Sequence, residues 1–235
     1  MFCMCTSMSI WGNRKDWWIV MKEVKNVLLV GVGGQGIILA SKILSSGLID
    51  AGYDVKMSEV HGMAQRGGSV TTQVRYGEKV YSPIIGKGQA DLIVAFEKIE
   101  ALRWIEYLKP DGKIVVNDYA IPSATVLSGK EQYPENVIGK IKEVFKNVTV
   151  INAAEEALQL GNIKAQNIVM LGGLLKALNV ENADWIKAVK ENIKEKFIDL
   201  NVKALERGMV SERGMKIETE MAIEREMELE RVMAL

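Results

Sequence analysis

Residues 27–40 read VLLVGVGGQGIILA, in which an apolar run passes through four glycines into a second apolar run. No polar residue interrupts residues 27–30, which is typical of a strand buried on both faces of a sheet. From Ile37 onward the apolar residues recur on roughly one helical face, so a helix is predicted directly after the glycines. The short turn between strand and helix favours residues without a Cβ. The stretch therefore predicts a βα unit of an α/β fold.

Five residues of this turn are the first candidates for contact with a ligand or a partner: Gly31, Gly33, Gly34, Gln35 and Gly36. Three of the glycines have the G-x-G-x-x-G spacing of dinucleotide-binding turns. The first turn of the following helix would offer unpaired N–H groups and a partial positive charge to a phosphate or another anion. A tight turn without a ligand has the same spacing, and a fold does not fix a function. Both interpretations stay open on the sequence alone.

Charge and cysteine content limit the class of protein. Thirty lysines and arginines balance thirty aspartates and glutamates over 235 residues, so no overall field favours nucleic acid or an anionic membrane. No apolar run approaches the ~20 residues of a membrane span. Cys3 and Cys5 precede the first predicted strand, so the predicted body has no thiolate for a disulfide, an iron–sulfur cluster or a zinc site. These features predict a cytoplasmic protein that holds no metal and binds neither nucleic acid nor membrane.

A second glycine-rich stretch, residues 59–69, begins at the end of a predicted strand and contains the only histidine of the chain. Six more candidates for contact with a ligand or a partner lie here: Glu59, His61, Gln65, Arg66, Gly67 and Gly68. An arginine beside two glycines suits an anion that the backbone approaches closely. Glu59 also follows the first glycines at about the 20-residue distance at which dinucleotide folds place a ribose-binding acid. A solvent-facing Arg66, or one paired with Glu59, is the alternative, and a single histidine does not predict a metal site.

Strand and helix patterns alternate over the rest of the body. Further strands are predicted over residues 54–60, 92–96, 114–116 and 148–151, with helices over 99–108 and 137–145 and helices only beyond residue 153. Strands that alternate with helices need crossover connections, so the predicted fold is α/β, with a doubly wound, mostly parallel, Rossmann-like sheet and C-terminal helices. The apolar segment 163–178 is expected to be buried, and its Gly172–Gly173 pair would admit a close backbone neighbour.

A β-hairpin excursion is predicted between the second and third parallel strands. Apolar and polar side chains alternate in residues 70–76, and Val80 and Tyr81 resume the pattern after Gly-Glu-Lys. This period is typical of a hairpin with one wet face. It predicts either a sheet edge or an arm that presents a docking surface to a partner.

The two ends of the chain differ from the body, which is predicted to span residues 21–208. Residues 1–20 carry both cysteines and three of the five tryptophans, and they are interpreted as an extension outside the fold, with Met21 as an alternative start. Residues 209–235 contain an imperfect six-residue repeat rich in Met and Glu. Its apolar residues fall mostly at odd positions, a strand-like period, although its residue types favour a helix. This conflict favours a low-complexity tail of marginal order.

Four segments, in the same order, carry a resemblance to a known family. Residues 31–36 and 59–69, together with residues 95–97 and 167–172, resemble the γ-type subunits of 2-oxoacid:ferredoxin oxidoreductases. The resemblance covers roughly residues 25–205 and leaves both ends of the chain outside. It implies a subunit of a heteromeric enzyme that oxidatively decarboxylates an arylpyruvate such as indolepyruvate, transfers the acyl group to coenzyme A and reduces ferredoxin.

The same resemblance implies how the cofactors are distributed. Thiamine diphosphate, its Mg²⁺ and the iron–sulfur clusters are expected on the large (α) partner subunit, with no cofactor on this chain and with coenzyme A as cosubstrate. The sequence agrees, because its body lacks cysteine and also lacks a Gly-Asp-Gly stretch followed by paired asparagines. The demanding chemistry belongs to the cofactors, so no residue of this chain is given a catalytic role. The glycine turn and residues 65–68 would face the partner or the phosphates of coenzyme A.

Two alternatives remain at this point. The first is a stand-alone NAD-dependent dehydrogenase that uses the glycine turn and Glu59, although the second glycine-rich stretch occupies the segment after Glu59 and no clear substrate-handling pair follows. The second is a scaffold subunit whose glycine turn binds no ligand.

Overall fold

A computed structural model of the chain describes residues 23–61, 67–180 and 182–210. Its strands are β1 (Lys25–Val32), β2 (Asp54–His61), β3 (Ser69–Gly77), β4 (Ala90–Ala95), β5 (Leu108–Asn117) and β6 (Val148–Ile151). They form one sheet in the order β2-β3-β1-β4-β5-β6. β1, β4, β5 and β6 are parallel neighbours, while β3 lies antiparallel between β1 and β2. Five of the six described strands therefore run in one direction.

Helices cover both faces of this sheet. They are α1 (Ile37–Asp50), α2 (Lys98–Arg103), α3 (Ala124–Leu127), α4 (Val137–Val144), α5 (Ala153–Gln159), α6 (Gln166–Leu178), α7 (Trp185–Asn192) and α8 (residues 198–210), with short 3₁₀ turns at Ile105–Tyr107, Ile163–Ala165 and Glu195–Phe197. One hydrophobic core joins the sheet to α1, α5, α6, α7 and α8, and a second core joins its other face to α2 and α4. None of the helices described is long and apolar enough to cross a membrane.

The predicted βα unit lies at the centre of the fold. The side chains of residues 27–30 are completely buried because β1 has a strand on each side and a helical layer on each face. Helix α1 begins at Ile37, directly after the glycines, as predicted. The doubly wound, mostly parallel sheet is confirmed.

The predicted pairing of residues 70–76 with residues 80–81 is wrong. β3 pairs with β1 on one side and with β2 on the other, so the hairpin is β2–β3 and β3 is an interior strand rather than an arm. On the face that carries its polar residues, Thr71 and Gln73 are buried and Arg75 is half-buried, with its Nε donating a 2.7 Å hydrogen bond to Asn26 Oδ1. The chain after β3 folds back across this face, where the amide N of Ile85 donates a 2.6 Å hydrogen bond to Gln73 Oε1. The alternation therefore reflects hydrogen-bonded polar groups and not a wet face.

The helix predicted over residues 99–108 is shorter in the structure. α2 ends at Arg103, one 3₁₀ turn follows, and β5 already begins at Leu108. Ala90 is paired with Leu108 and Leu92 with Lys113, so β5 carries extra residues between these pairs. The Pro110-Asp111-Gly112 sequence, which suggests a break, forms this bulge inside a strand.

The predicted burial of residues 163–178 is confirmed for the centre of the segment, whereas Ile163 at its start is exposed. The close neighbour of Gly172 lies inside the fold. Residues 167–175 of α6 are all buried. A Cβ at Gly172 would overlap the carbonyl oxygen of Leu205 and lie 2.8 Å from the Cα of Gly208. Two glycines on α6 and α8 thus let the helix backbones approach each other directly.

Candidate ligand site at the glycine turn

The glycine turn lies at the carboxyl edge of the sheet, where β1, β4 and β5 end. This is the edge at which open α/β sheets bind ligands. A pocket of about 360 Å³ opens there, lined by residues 32–38 and Val70. Its volume lies within the range of small-molecule sites.

The two glycine-rich stretches of the sequence meet at this pocket. The amide N of Gly33 donates a hydrogen bond to the carbonyl oxygen of Gly68 (2.8 Å), and the amide N of Gly67 donates one to the carbonyl oxygen of Gly33 (3.3 Å). Gly67 has a φ of 80°, a left-handed conformation that glycine adopts without strain. The backbone of the turn and the start of β3 therefore form one continuous rim.

The glycines of the turn have different structural tasks. A Cβ at Gly31 would lie 2.9 Å from Phe96 Cβ, and a Cβ at Gly36 would lie 2.6 Å from Asn167 Nδ2. Both positions are therefore restricted by packing inside the protein. Gly34 has a φ of 103°, and a Cβ there would have no neighbour within 4 Å. Gly34 is consequently the glycine of the turn that is open to the pocket, whereas both backbone groups of Gly33 are bonded to residues 67–68.

Helix α1 begins shortly after Gly34, without a side-chain cap and without an acidic residue in its first turn. Its orphan N–H groups and partial positive charge are available on this side of the turn. The arrangement suits a phosphate or a carboxylate, for which an N-terminus of this kind contributes typically about 0.3–1 kcal/mol.

Gln35 is turned towards the interior of the protein and is 7% exposed. Its Oε1 accepts a hydrogen bond from the amide N of Val32 (2.7 Å), and its Nε2 donates one to the carbonyl oxygen of Phe96 (2.8 Å). The same carbonyl oxygen accepts a bond from Asn117 Nδ2 (3.2 Å), while Asn117 Oδ1 accepts one from the amide N of Ala153 (3.1 Å). This network fixes the ends of β1, β4 and β5 against the start of α5, so the pocket has a rigid floor.

Two further candidates, Glu59 and His61, lie on β2 at the outer edge of the sheet. In the register of β2 with β3, Glu59 is opposite Thr72 and His61 is opposite Val70, which lines the pocket. The backbone of His61 is therefore close to the pocket, and Glu59 lies two residues further from it on a half-buried position. Gln65 and Arg66 lie outside the described residues.

Two buried carboxyl groups near the site were missed by the sequence reasoning. Glu97 is 1% exposed and caps α2, where its Oε2 accepts a 3.0 Å hydrogen bond from the amide N of Glu100. Its Oε1 accepts hydrogen bonds from the hydroxyl of Tyr133 (2.5 Å) and from the amide N of Ile121 (3.3 Å). Burial, followed by the hydrogen bond to this carboxyl, raises the pKa of Tyr133. The sequence signal that could have identified Glu97 is its position directly after the strand predicted over residues 92–96.

Glu100 connects α2 to the rim of the pocket. Its Oε2 accepts a 2.5 Å hydrogen bond from the hydroxyl of Ser69, the residue after Gly68, and its Oε1 lies 3.0 Å from the guanidinium of Arg103. The start of β3 is thus held from the other face of the sheet. Among the residues that the structure describes, no group of three His, Cys, Asp or Glu side chains could hold a metal ion.

Comparison with known proteins identifies relatives of the whole body. A family model described as pyruvate ferredoxin/flavodoxin oxidoreductase matches residues 26–211. The chain is 39% identical to the indolepyruvate oxidoreductase subunit IorB of Archaeoglobus fulgidus over 189 residues, which cover 78% of this chain and 92% of the relative. It is also 39% identical to IorB of Pyrococcus horikoshii over 194 residues, with 80% of this chain and 96% of the relative covered.

A solved structure shares the fold. The keto/oxoacid ferredoxin oxidoreductase γ subunit from Geobacter sulfurreducens superposes with a TM-score of 0.60 at 24% sequence identity, over 79% of this chain and 94% of that chain. At this identity the similarity concerns the architecture alone, a sheet with helices on both faces.

Proposed function

The chain belongs to the pyruvate ferredoxin/flavodoxin oxidoreductase family and is a small subunit of a heteromeric oxidoreductase; from this premise we propose that it is the non-redox subunit of an enzyme that oxidatively decarboxylates an arylpyruvate, indolepyruvate. In the proposed reaction the 2-oxoacid loses CO₂, its acyl group passes to the thiol of coenzyme A, and two electrons pass to ferredoxin. The observation that carries the proposal is the 39% identity to the indolepyruvate oxidoreductase subunit of Archaeoglobus fulgidus over 92% of its length.

The proposed role of the glycine turn is to bind an anionic group, the phosphates of coenzyme A. The uncapped start of α1, the open position of Gly34, and a pocket of about 360 Å³ support this role. Arg66, which lies outside the described residues, is proposed from the sequence alone as a further contact for the anionic group. The site would present coenzyme A to the catalytic centre of the large subunit, and no acid, base or nucleophile is proposed on this chain.

We place thiamine diphosphate, Mg²⁺ and the iron–sulfur clusters on the large (α) subunit, which would be the direct partner, with ferredoxin reached through the complex. The described residues of this chain offer no cluster of ligands for a metal ion, and the steps that need those groups would take place on the partner. Cytoplasmic residence stays a prediction from the sequence. The family assignment replaces the stand-alone NAD-dependent dehydrogenase that the sequence left open.

Reconstitution tests the proposal. The large subunit and this chain are purified separately and assayed for ferredoxin reduction with indolepyruvate and coenzyme A, alone and combined. We expect turnover only from the combination. Full activity of the large subunit alone would contradict a required role for this chain, and turnover by this chain alone would contradict the non-redox role.

A further inference from the structure

β6 is the last strand of the sheet, and within the described residues it pairs on one side only, with β5. Two bonds fix its orientation: the amide N of Ile114 donates to the carbonyl oxygen of Asn147, and the amide N of Asp118 donates to the carbonyl oxygen of Ile151. Successive residues of a strand alternate in the side to which they bond, so the N–H and C=O groups of Val148 and Val150 point away from β5. Such an edge is a template for a further strand.

The two faces of this edge differ in chemistry. On the α6 face, a groove of about 490 Å³ runs beside β6, and its polar lining includes Lys113, Lys146 and Lys176. On the α4 face, Val148 and Val150 are only partly buried. A strand that fits this edge therefore needs acidic side chains on one face and apolar side chains on the other.

The chain itself contains such a segment. Residues 217–223 read IETEMAI, with glutamates at 218 and 220 and with apolar residues or threonine at the odd positions. Helix α8 leads to this segment, and its Gly208 lines the lysine groove, so the chain leaves the described fold beside β6. The residues between Val210 and Ile217 can span roughly 20 Å, which is enough to turn back along the edge.

We propose that residues 217–223 add a further strand to the free edge of β6. In this arrangement Glu218 and Glu220 face the lysine groove, and the odd-numbered side chains cover Val148 and Val150. The main-chain hydrogen bonds supply the affinity, and the charges select the register, because a slip of one residue would place the glutamates on the valines. The arrangement accounts for the strand-like period of the tail, and it does not depend on the proposed enzyme function.

Amide hydrogen exchange of the full-length chain, followed residue by residue by NMR, tests the added strand. The N–H groups of Val148 and Val150 should exchange at least about tenfold more slowly in the full chain than in a chain that ends at Val210, because an unpaired edge exchanges from the native state. The double variant Glu218→Lys/Glu220→Lys should lose this protection. Its matched control, Glu228→Lys/Glu230→Lys, changes the net charge equally and should keep it.

Each other outcome overturns the proposal. Equal exchange rates in the full and shortened chains would show that the edge is unpaired. If both charge-reversed variants behaved alike, the glutamates at 218 and 220 would not be the ones that face the lysines. Protection that increases with protein concentration would assign the added strand to a second copy of the chain. Should the shortened chain fail to fold, the two charge-reversed variants alone decide the question.

Discussion

The buried amide of Gln35 determines whether the glycine turn is rigid, and Gln35→Met removes its hydrogen bonds while it keeps the length of the side chain. The amide N of Val32 would be left buried without the 2.7 Å partner, at a cost of about 1–3 kcal/mol. The carbonyl oxygen of Phe96 would keep its hydrogen bond from Asn117, so losing the bond from Gln35 costs less there, about 1 kcal/mol. The free energy of unfolding should therefore fall by about 2–4 kcal/mol.

Urea unfolding, followed by circular dichroism, measures this change. With a typical slope for a domain of this kind, the midpoint should fall by roughly 1–2 M. Gln89→Met is the matched control, since Gln89 is exposed and accepts one 3.1 Å hydrogen bond from the amide N of Gly86. It should change the unfolding free energy by less than about 0.5 kcal/mol. A Gln35→Met protein as stable as the control, but with weaker binding of coenzyme A in the complex, would refute the structural role and assign the amide to the ligand.

Three further predictions concern packing, ionisation and the ligand. Gly208→Ala should lower the unfolding free energy by about 1–3 kcal/mol in the same urea assay, because its Cβ would overlap the carbonyl oxygen of Val169. Burial raises the pKa of Tyr76 to about 12. The stability that its protonated hydroxyl contributes is therefore complete below its unfolded pKa of about 10 and is lost as the pH rises from about 10 to 12. Tyr76→Phe should flatten this decline, as measured by thermal unfolding across that pH window. Arg66→Ala should raise the KM of the assembled enzyme for coenzyme A about tenfold, which corresponds to about 1.4 kcal/mol of lost interaction. The control Lys87→Ala, at an exposed lysine, should leave this KM unchanged. An unchanged KM in both variants would favour the scaffold interpretation.

The parts of the fold that the sequence predicts correctly are those with local signals. β1 and the start of α1 follow from an unbroken apolar run and from glycines within ten residues of each other. A strand is correctly predicted at β3, but its partner and its wet face are wrong, because its polar residues depend on distant partners. Gln73 accepts its hydrogen bond from Ile85, which returns from a segment whose sequence has no strand or helix period. Burial of this kind is not visible in the alternation of a single strand.

The candidate site shows the same division between local and distant interactions. The glycines are close in sequence, so their turn is predictable, and Gly67–Gly68 stands out as a second stretch. That the two stretches bond to each other through Gly33 could not be read from either one. Likewise, the inward orientation of Gln35 requires Phe96, 61 residues away. The buried position of Glu97 requires Tyr133, 36 residues away.

The dinucleotide-like spacing of the turn has a cause that involves no nucleotide. Gly31 is needed because Phe96 packs against it, and Gly36 is needed because Asn167 of α6 lies against it. These two contacts bring β4 and α6 to the start of α1, and any side chain larger than hydrogen at either position would separate them. The first and last glycines of the pattern thus serve the fold, and Gly33 joins the turn to residues 67–68 through both of its backbone groups. Gly34 is the glycine that remains open to a ligand. For this reason a match to the spacing supports the architecture strongly and leaves the choice of ligand to Gly34, the start of α1 and the adjoining rim.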